Sequence, residues 1–140
     1  MTSSPMHWAA DYLGKPWRIG ANGPTHYDCW GLVRAVYADR LQIALPAAGL
    51  EFDDMAKQLE VFRDHPERGR WSQVARPTEY DAVLMAHGRY PVHVGVWIEA
   101  GPSQRVLHAC RPAVIAQDTV ALKAHGYRVC GVYRLNGLST

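Results

Sequence analysis

Cysteine is scarce in this chain: three in 140 residues, at positions 29, 110 and 130. The number is odd and no two stand as CxxC, which argues against a disulfide scaffold and against a structural zinc knot. A single Cys110–Cys130 bridge stays open. Net charge is only +2 with histidine neutral, and no dense Lys/Arg run occurs. Arg63, Arg68, Arg70 and Arg76 are spread along a polar stretch, as on a solvated surface, so no nucleic-acid partner is expected. No stretch approaches the ~18 apolar residues of a membrane span. Met1–Trp8 has no basic region leading into an apolar run, so no secretory signal is read there. The expectation is a soluble protein made in the cytosol, without a membrane partner. Internal repeats, linkers and low-complexity tracts are absent too. What remains is ordinary globular material, 48% hydrophobic and 20% charged. It is read as one domain over 1–140, large enough to bury roughly two thirds of its unfolded surface.

The first half follows a helical period. Ser4 and Pro5 suit an N-cap and first helical position. Trp8, Ala9, Tyr12 and Leu13 then form a stripe that Gly14 ends. Lys15–Pro24 is a loop punctuated by Gly and Pro. A central helix is predicted from about Asp28 to Asp39, with Asp28 as N-cap. Cys29, Leu32, Val33, Val36 and Tyr37 share its inner face, opposite Arg34 and Asp39. Leu41–Gly49 is an ordered loop. A second helix is expected from Asp53 or Asp54, with Met55, Leu59 and Phe62 inward, ending at Pro66 and Gly69.

The second half follows a period of two. Trp71–Pro77 is a connector with room for a short strand, and Asp81–Ala86 is a strand. After a turn around Gly88 comes Val92–Ile98, with Val92, Val94, Val96 and Ile98 on one face and His93, Gly95 and Trp97 on the other. A turn at Gly101-Pro102-Ser103 leads to Arg105–Cys110, with Val106, His108 and Cys110 sharing a face. A short helix capped by Asp118 or Thr119 ends at Gly126, and Tyr127–Leu135 is the last strand. Helices followed by a mainly antiparallel sheet make the fold class α+β.

A thiol at a helix N-terminus meets the positive end of the dipole, which favours the nucleophilic thiolate. A small buried hydrophobe on a core stripe fits Cys29 equally well. Nucleophilic catalysis also needs a base, and the base needs an orienting group. His7, His26, His65, His87 and His125 fall in loops or near helix ends. His93 and His108 sit on strands joined by a short turn and so stand side by side. Each faces away from the continuous Val/Leu row, and Gly95 leaves space beside His93. A central helix packed over that face would bring Cys29 to both. Two structural histidines, or a metal site of Cys29, His93 and His108, fit the spacing as well. No close-spaced ligand pair supports the metal.

The motifs Tyr27-Asp28-Cys29-Trp30-Gly31-Leu32-Val33-Arg34, His93-Val94-Gly95-Val96-Trp97 and Val106-Leu107-His108-Ala109 together resemble the NlpC-type family of papain-like cysteine peptidases. Tyr12–Trp17 and Gly131–Arg134 are similar to its short versions encoded with bacteriophage tail genes. The resemblance implies a papain-like NlpC-type fold, with the cysteine at a helix N-terminus packed on the sheet. It implies Cys29 as nucleophile, His93 as base and His108 as the residue orienting the base. It also implies a substrate region built from Trp17, Tyr27, Asp28 and Trp30, with no metal and no cofactor. The implied activity is endopeptidase or amidase cleavage of peptidoglycan stem peptides, often next to D-glutamate. The implied partners are tail tip or hub proteins. The implied location is the virion tail, or host cytoplasm during assembly, with action on the wall in the periplasm. Two departures stand out. Trp30 replaces the family's Ser after the cysteine, and Trp17 replaces a Tyr, so it offers only an indole N–H. A tail structural protein with little hydrolase activity, or another acyl transfer on the same residues, stays open.

Overall fold

The computed structural model of the protein describes residues 7–45, 70–87, 90–100 and 103–137. Helix α1, Cys29–Val36, begins where Asp28 caps it: the carboxylate accepts the Gly31 N–H. Its inner face is Leu32, Val33 and Val36, followed by Tyr37, all with no exposed surface. The regular helix stops short of the predicted Asp39. A wider, π-type turn over Tyr37–Leu41 carries the chain to Gln42, which is left-handed at φ 55°. The buried Tyr37 ring is pinned there, since its hydroxyl donates to the Tyr80 carbonyl.

The expected N-terminal helix is a single 3-10 turn, Trp8–Asp11. His7 caps it, its Nδ1 accepting the Ala9 N–H at 3.1 Å. A tighter turn of about three residues shifts the stripe. Trp8, Ala9 and Tyr12 stay buried while Leu13 is 45% exposed. Ser4 and Pro5, and the helix expected from Asp53 or Asp54, lie outside the described residues.

Among the described residues the sheet has six strands, in the order β1-β6-β2-β3-β4-β5. They are β1 Trp71–Gln73, β2 Ala82–His87, β3 Tyr90–Ala100, β4 Ser103–Ala109, β5 Val114–Gln117 and β6 Tyr127–Leu135. Every pairing is antiparallel. The sequence pattern misses β5 because Arg111-Pro112 breaks the apolar run and only five residues follow before the next cap. Helix α2, Thr119–Ala124, is capped by Asp118 as expected. Arg134 on β6 clasps the fully buried Asp81 at the head of β2 with two bonds of 2.9 and 2.8 Å.

Two cores lie on opposite faces of the sheet. Leu32, Val33, Val36 and Tyr37 pack with Val94, Val96, Ile98, Leu107 and Ala109. On the other face Leu122 of α2 packs with Val83, Met85, Trp97, Val106 and Val132. Helix α1 therefore covers the Val/Leu row, not the face of His93 and Gly95 as expected. Burying that row against the apolar stripe of α1 removes more surface from water than packing it on histidines. Gly95 is not open space either. A Cβ there would meet the Leu107 carbonyl oxygen at 2.7 Å, Val106 Cγ1 at 2.7 Å and His108 Cβ at 2.9 Å. The glycine is what lets β4 lay His108 against β3.

Candidate active site

A fork in the sheet joins the two faces. The β3–β4 ladder ends at Val96–Leu107. Beyond it β3 stays on β2 through Met85–His93 and, past a bulge, His87–Tyr90, and β4 stays on β5 as far as Ala109–Val114. Backbone N–H groups at such a split need other partners. The start of α1 lies close by: the backbone N–H groups of Val94, Trp30 and Cys29 all act on the Cys29 thiol, favouring its ionised form. The sulfur therefore lies beside the residue that follows His93.

The side chains of the two histidines meet. His93 Nε2 lies 2.8 Å from His108 Nδ1. His93 is buried and His108 has no exposed surface. His108 Nε2 is 2.8 Å from Gln117 Oε1 at the end of β5. His125 Nδ1 is 3.4 Å from the same oxygen. The result is a continuous polar chain, His93–His108–Gln117–His125, running from the fork to an exposed side chain.

Tyr127 covers this chain. Its ring stacks on His93 with centroids 4.7 Å apart and meets His108 edge-on at 5.2 Å. His87 and His125 flank the same ring at 5.0 and 5.4 Å. The Cys110 thiol, an electrostatic neighbour of the Tyr127 hydroxyl, reaches the Ala113 carbonyl at 3.8 Å. Gly126, at φ 91°, makes the turn that brings Tyr127 here. Neither Gln117 nor Tyr127 is singled out by the sequence. Gln117 directly precedes a cap, and Tyr127 is one aromatic among many at a strand start. A polar residue at the end of a strand beside a histidine strand is the only signal for the first.

Electrostatics run against the dipole expectation for Cys29. Burial, and then the neighbouring Asp28 carboxylate, push its thiol up to about 12; the three backbone N–H groups pull the other way. The N-cap that stabilises the helix thus opposes ionisation of the first residue in it. Burial, followed by the neighbouring His108, His87 and His125, pushes His93 well below the ordinary imidazole range. Burial takes His108 down to about 4, with the Gln117 bond working upward and His125 downward. Both sets of shifts favour the neutral forms, thiol and imidazole.

The four residues assigned to substrate have separate surroundings. Asp28 is buried, with Oδ1 accepting the Gly31 N–H at 2.5 Å and Oδ2 the Gly20 N–H at 2.8 Å. Its carboxylate is engaged in tying the 18–23 loop to α1. Tyr27 is buried edge-on against Tyr12 at 5.8 Å. Trp30 meets Trp71 of β1 at 6.4 Å. Trp17 carries the Arg111 guanidinium over its ring at 4.3 Å. All three cysteines are free, so the Cys110–Cys130 bridge left open by the sequence is not formed. The two histidine nitrogens that face each other at 2.8 Å cannot both turn to one ion in this arrangement. Among the described residues no group of three or more His, Cys, Asp or Glu is arranged to hold a metal.

Solved structures share this architecture. NlpC1 from Trichomonas vaginalis matches with TM-score 0.60 and 22% identity, covering 91% of this chain and 41% of that one. NlpC2 from the same organism matches with TM-score 0.59 and 20% identity, covering 91% and 44%. The NlpC/p60 domain of the peptidoglycan hydrolase SagA matches with TM-score 0.54 and 17% identity, covering 89% and 91%. At these identities the likeness is one of fold. The chain spans less than half the length of the two Trichomonas proteins. No curated protein matches its sequence. The model of the NlpC/P60 family matches residues 14–134. With that match across most of its length, and the same α+β fold, the chain belongs to the NlpC/P60 family.

Proposed function

We propose that this protein is a cysteine peptidase or amidase that cleaves amide bonds in peptidoglycan stem peptides. The observation that carries the reading is the 2.8 Å contact between His93 Nε2 and His108 Nδ1, next in the chain to Val94, whose N–H acts on the Cys29 thiol. Family membership and the hydrolase named in a fold neighbour support the same reading. In this reading His93 takes the proton of Cys29 as the sulfur attacks the amide carbonyl. The raised thiol and lowered imidazole favour transfer during attack over a resting ion pair. Backbone N–H groups at the start of α1, that of Cys29 among them, stabilise the oxyanion. Protonated His93 then gives its proton to the leaving amine, and water cleaves the thioester. His108 holds the ring of His93.

The setting we propose is a bacteriophage tail, with the enzyme carried in the particle and acting on the wall in the periplasm. The support is the similarity of Tyr12–Trp17 and Gly131–Arg134 to short tail-encoded relatives. Defined peptidoglycan fragments incubated with the wild type should yield new acid and amine products by mass spectrometry. The same incubation with Cys29→Ala should yield none. Hydrolysis surviving that substitution would remove Cys29 from the chemistry.

A further inference from the structure

Beyond the three candidate catalytic residues, the hydrogen-bond chain ends in a group with a definite polarity. Gln117 Oε1 offers only lone pairs, so His108 Nε2, 2.8 Å away, must carry a proton. A neutral imidazole holds a single N–H, which leaves His108 Nδ1 bare. Across the next 2.8 Å contact, His93 Nε2 is then the donor. That uses the one proton of neutral His93 and leaves its Nδ1 as a lone pair, the state a general base requires.

Turning the Gln117 amide over reverses each step. Its NH2 would donate to His108 Nε2, and His108 Nδ1–H would donate to His93 Nε2. His93 Nδ1 would then hold a proton of its own and could accept none from a thiol. His125 disfavours that turn, since its Nδ1 approaches the same Gln117 oxygen at 3.4 Å and can donate to it. β5 holds Gln117 in place, with Gln117 paired to Val106 at the end of the β4–β5 ladder.

We infer that Gln117 is a positioning residue: its carboxamide oxygen sets the tautomer of His108 and, through it, that of His93, so that the base presents a lone pair to the thiol. The inference rests on the roles proposed above for Cys29, His93 and His108. Its test does not depend on activity alone. In the full chain carrying Cys29→Ala, where no thiol can protonate His93, 15N-histidine spectra at neutral pH read each ring nitrogen. Both His108 and His93 should be protonated at Nε2 and bare at Nδ1. Gln117→Met keeps length and removes the acceptor. It should mix or reverse these tautomers and lower kcat about tenfold to a hundredfold, the scale on which outer partners of functional histidines act, with KM unchanged. Gln117→Glu keeps an acceptor and should keep both the tautomers and most of kcat. Nδ1-protonated His93 in the Cys29→Ala chain would overturn the inference. So would Gln117→Met with wild-type tautomers and wild-type kcat. If Gln117→Met does not fold, the spectra of the Cys29→Ala chain still decide. Failure of the catalytic reading would appear separately, as hydrolysis surviving Cys29→Ala, and would leave these spectra as they are.

Discussion

Replacing Asp28 with Asn should weaken the fold and sharpen the thiol at once. The carboxylate is 7% exposed and accepts two backbone N–H groups, Gly31 at 2.5 Å and Gly20 at 2.8 Å. An amide has one oxygen, so whichever way it turns, one of those N–H groups meets a donor. The bond that survives loses its charge assistance, about 1 kcal/mol. The orphaned N–H costs about 1–3 kcal/mol more. The sum is about 2–4 kcal/mol, or roughly 5–15 °C of melting temperature for a chain of this size. The Asp28 charge is also the second cause, after burial, of the raised Cys29 thiol. Its removal leaves burial in place, so the thiol should ionise at lower pH than in the wild type while staying above the ordinary range. The assays are a thermal melt and the pH profile of Cys29 alkylation, followed by peptide mass spectrometry well below the melting temperature. The variant should melt earlier and alkylate at lower pH. A melt within about 2 °C of wild type, or a Cys29 profile that stays put or moves to higher pH, would refute the reasoning.

Gly31→Ala should cost about 3 kcal/mol or more, because its Cβ would stand 2.0 Å from the Ala21 carbonyl oxygen and 2.8 Å from Asp28 Oδ1; an unchanged urea midpoint would show that the loop gives way freely. Acid should destabilise the protein through its buried histidines. The unfolded chain takes up these protons from about 6.5 downward, whereas folded His108 waits until about 4. Between those values the unfolded state binds more protons, so stability falls as pH falls through that window. Urea midpoints measured across it should show a slope that His108→Asn flattens, and an equal slope in that variant would contradict the assignment. Tyr127→Phe keeps the stack on His93 and loses only the hydroxyl group. Tyr127→Leu loses the stack as well, and should melt below Tyr127→Phe by about 1 kcal/mol of stability; identical melts would deny the ring contacts any weight.

Local rules carry the sequence a long way here. Asp28 before an apolar stripe announces α1 because an N-cap and its first turn are neighbours along the chain. Val94, Val96 and Ile98 fix a strand and a buried row, and Tyr127–Leu135 is read at its observed ends, because side chains alternate in a strand whatever surrounds it. The adjacency of His93 and His108 follows from a short turn between two strands. Which face α1 covers does not follow. Periodicity divides residues into two sets, and only the competition for apolar surface decides which set meets the helix. The fork between β3 and β4, the closeness that requires Gly95, and the arrival of Gln117 and Tyr127 from strands later in the chain are all long-range events. The acidity of Cys29 belongs with them. A helix N-terminus read along the chain promises an acidic thiol, but burial and the nearby Asp28 charge act through space to raise it.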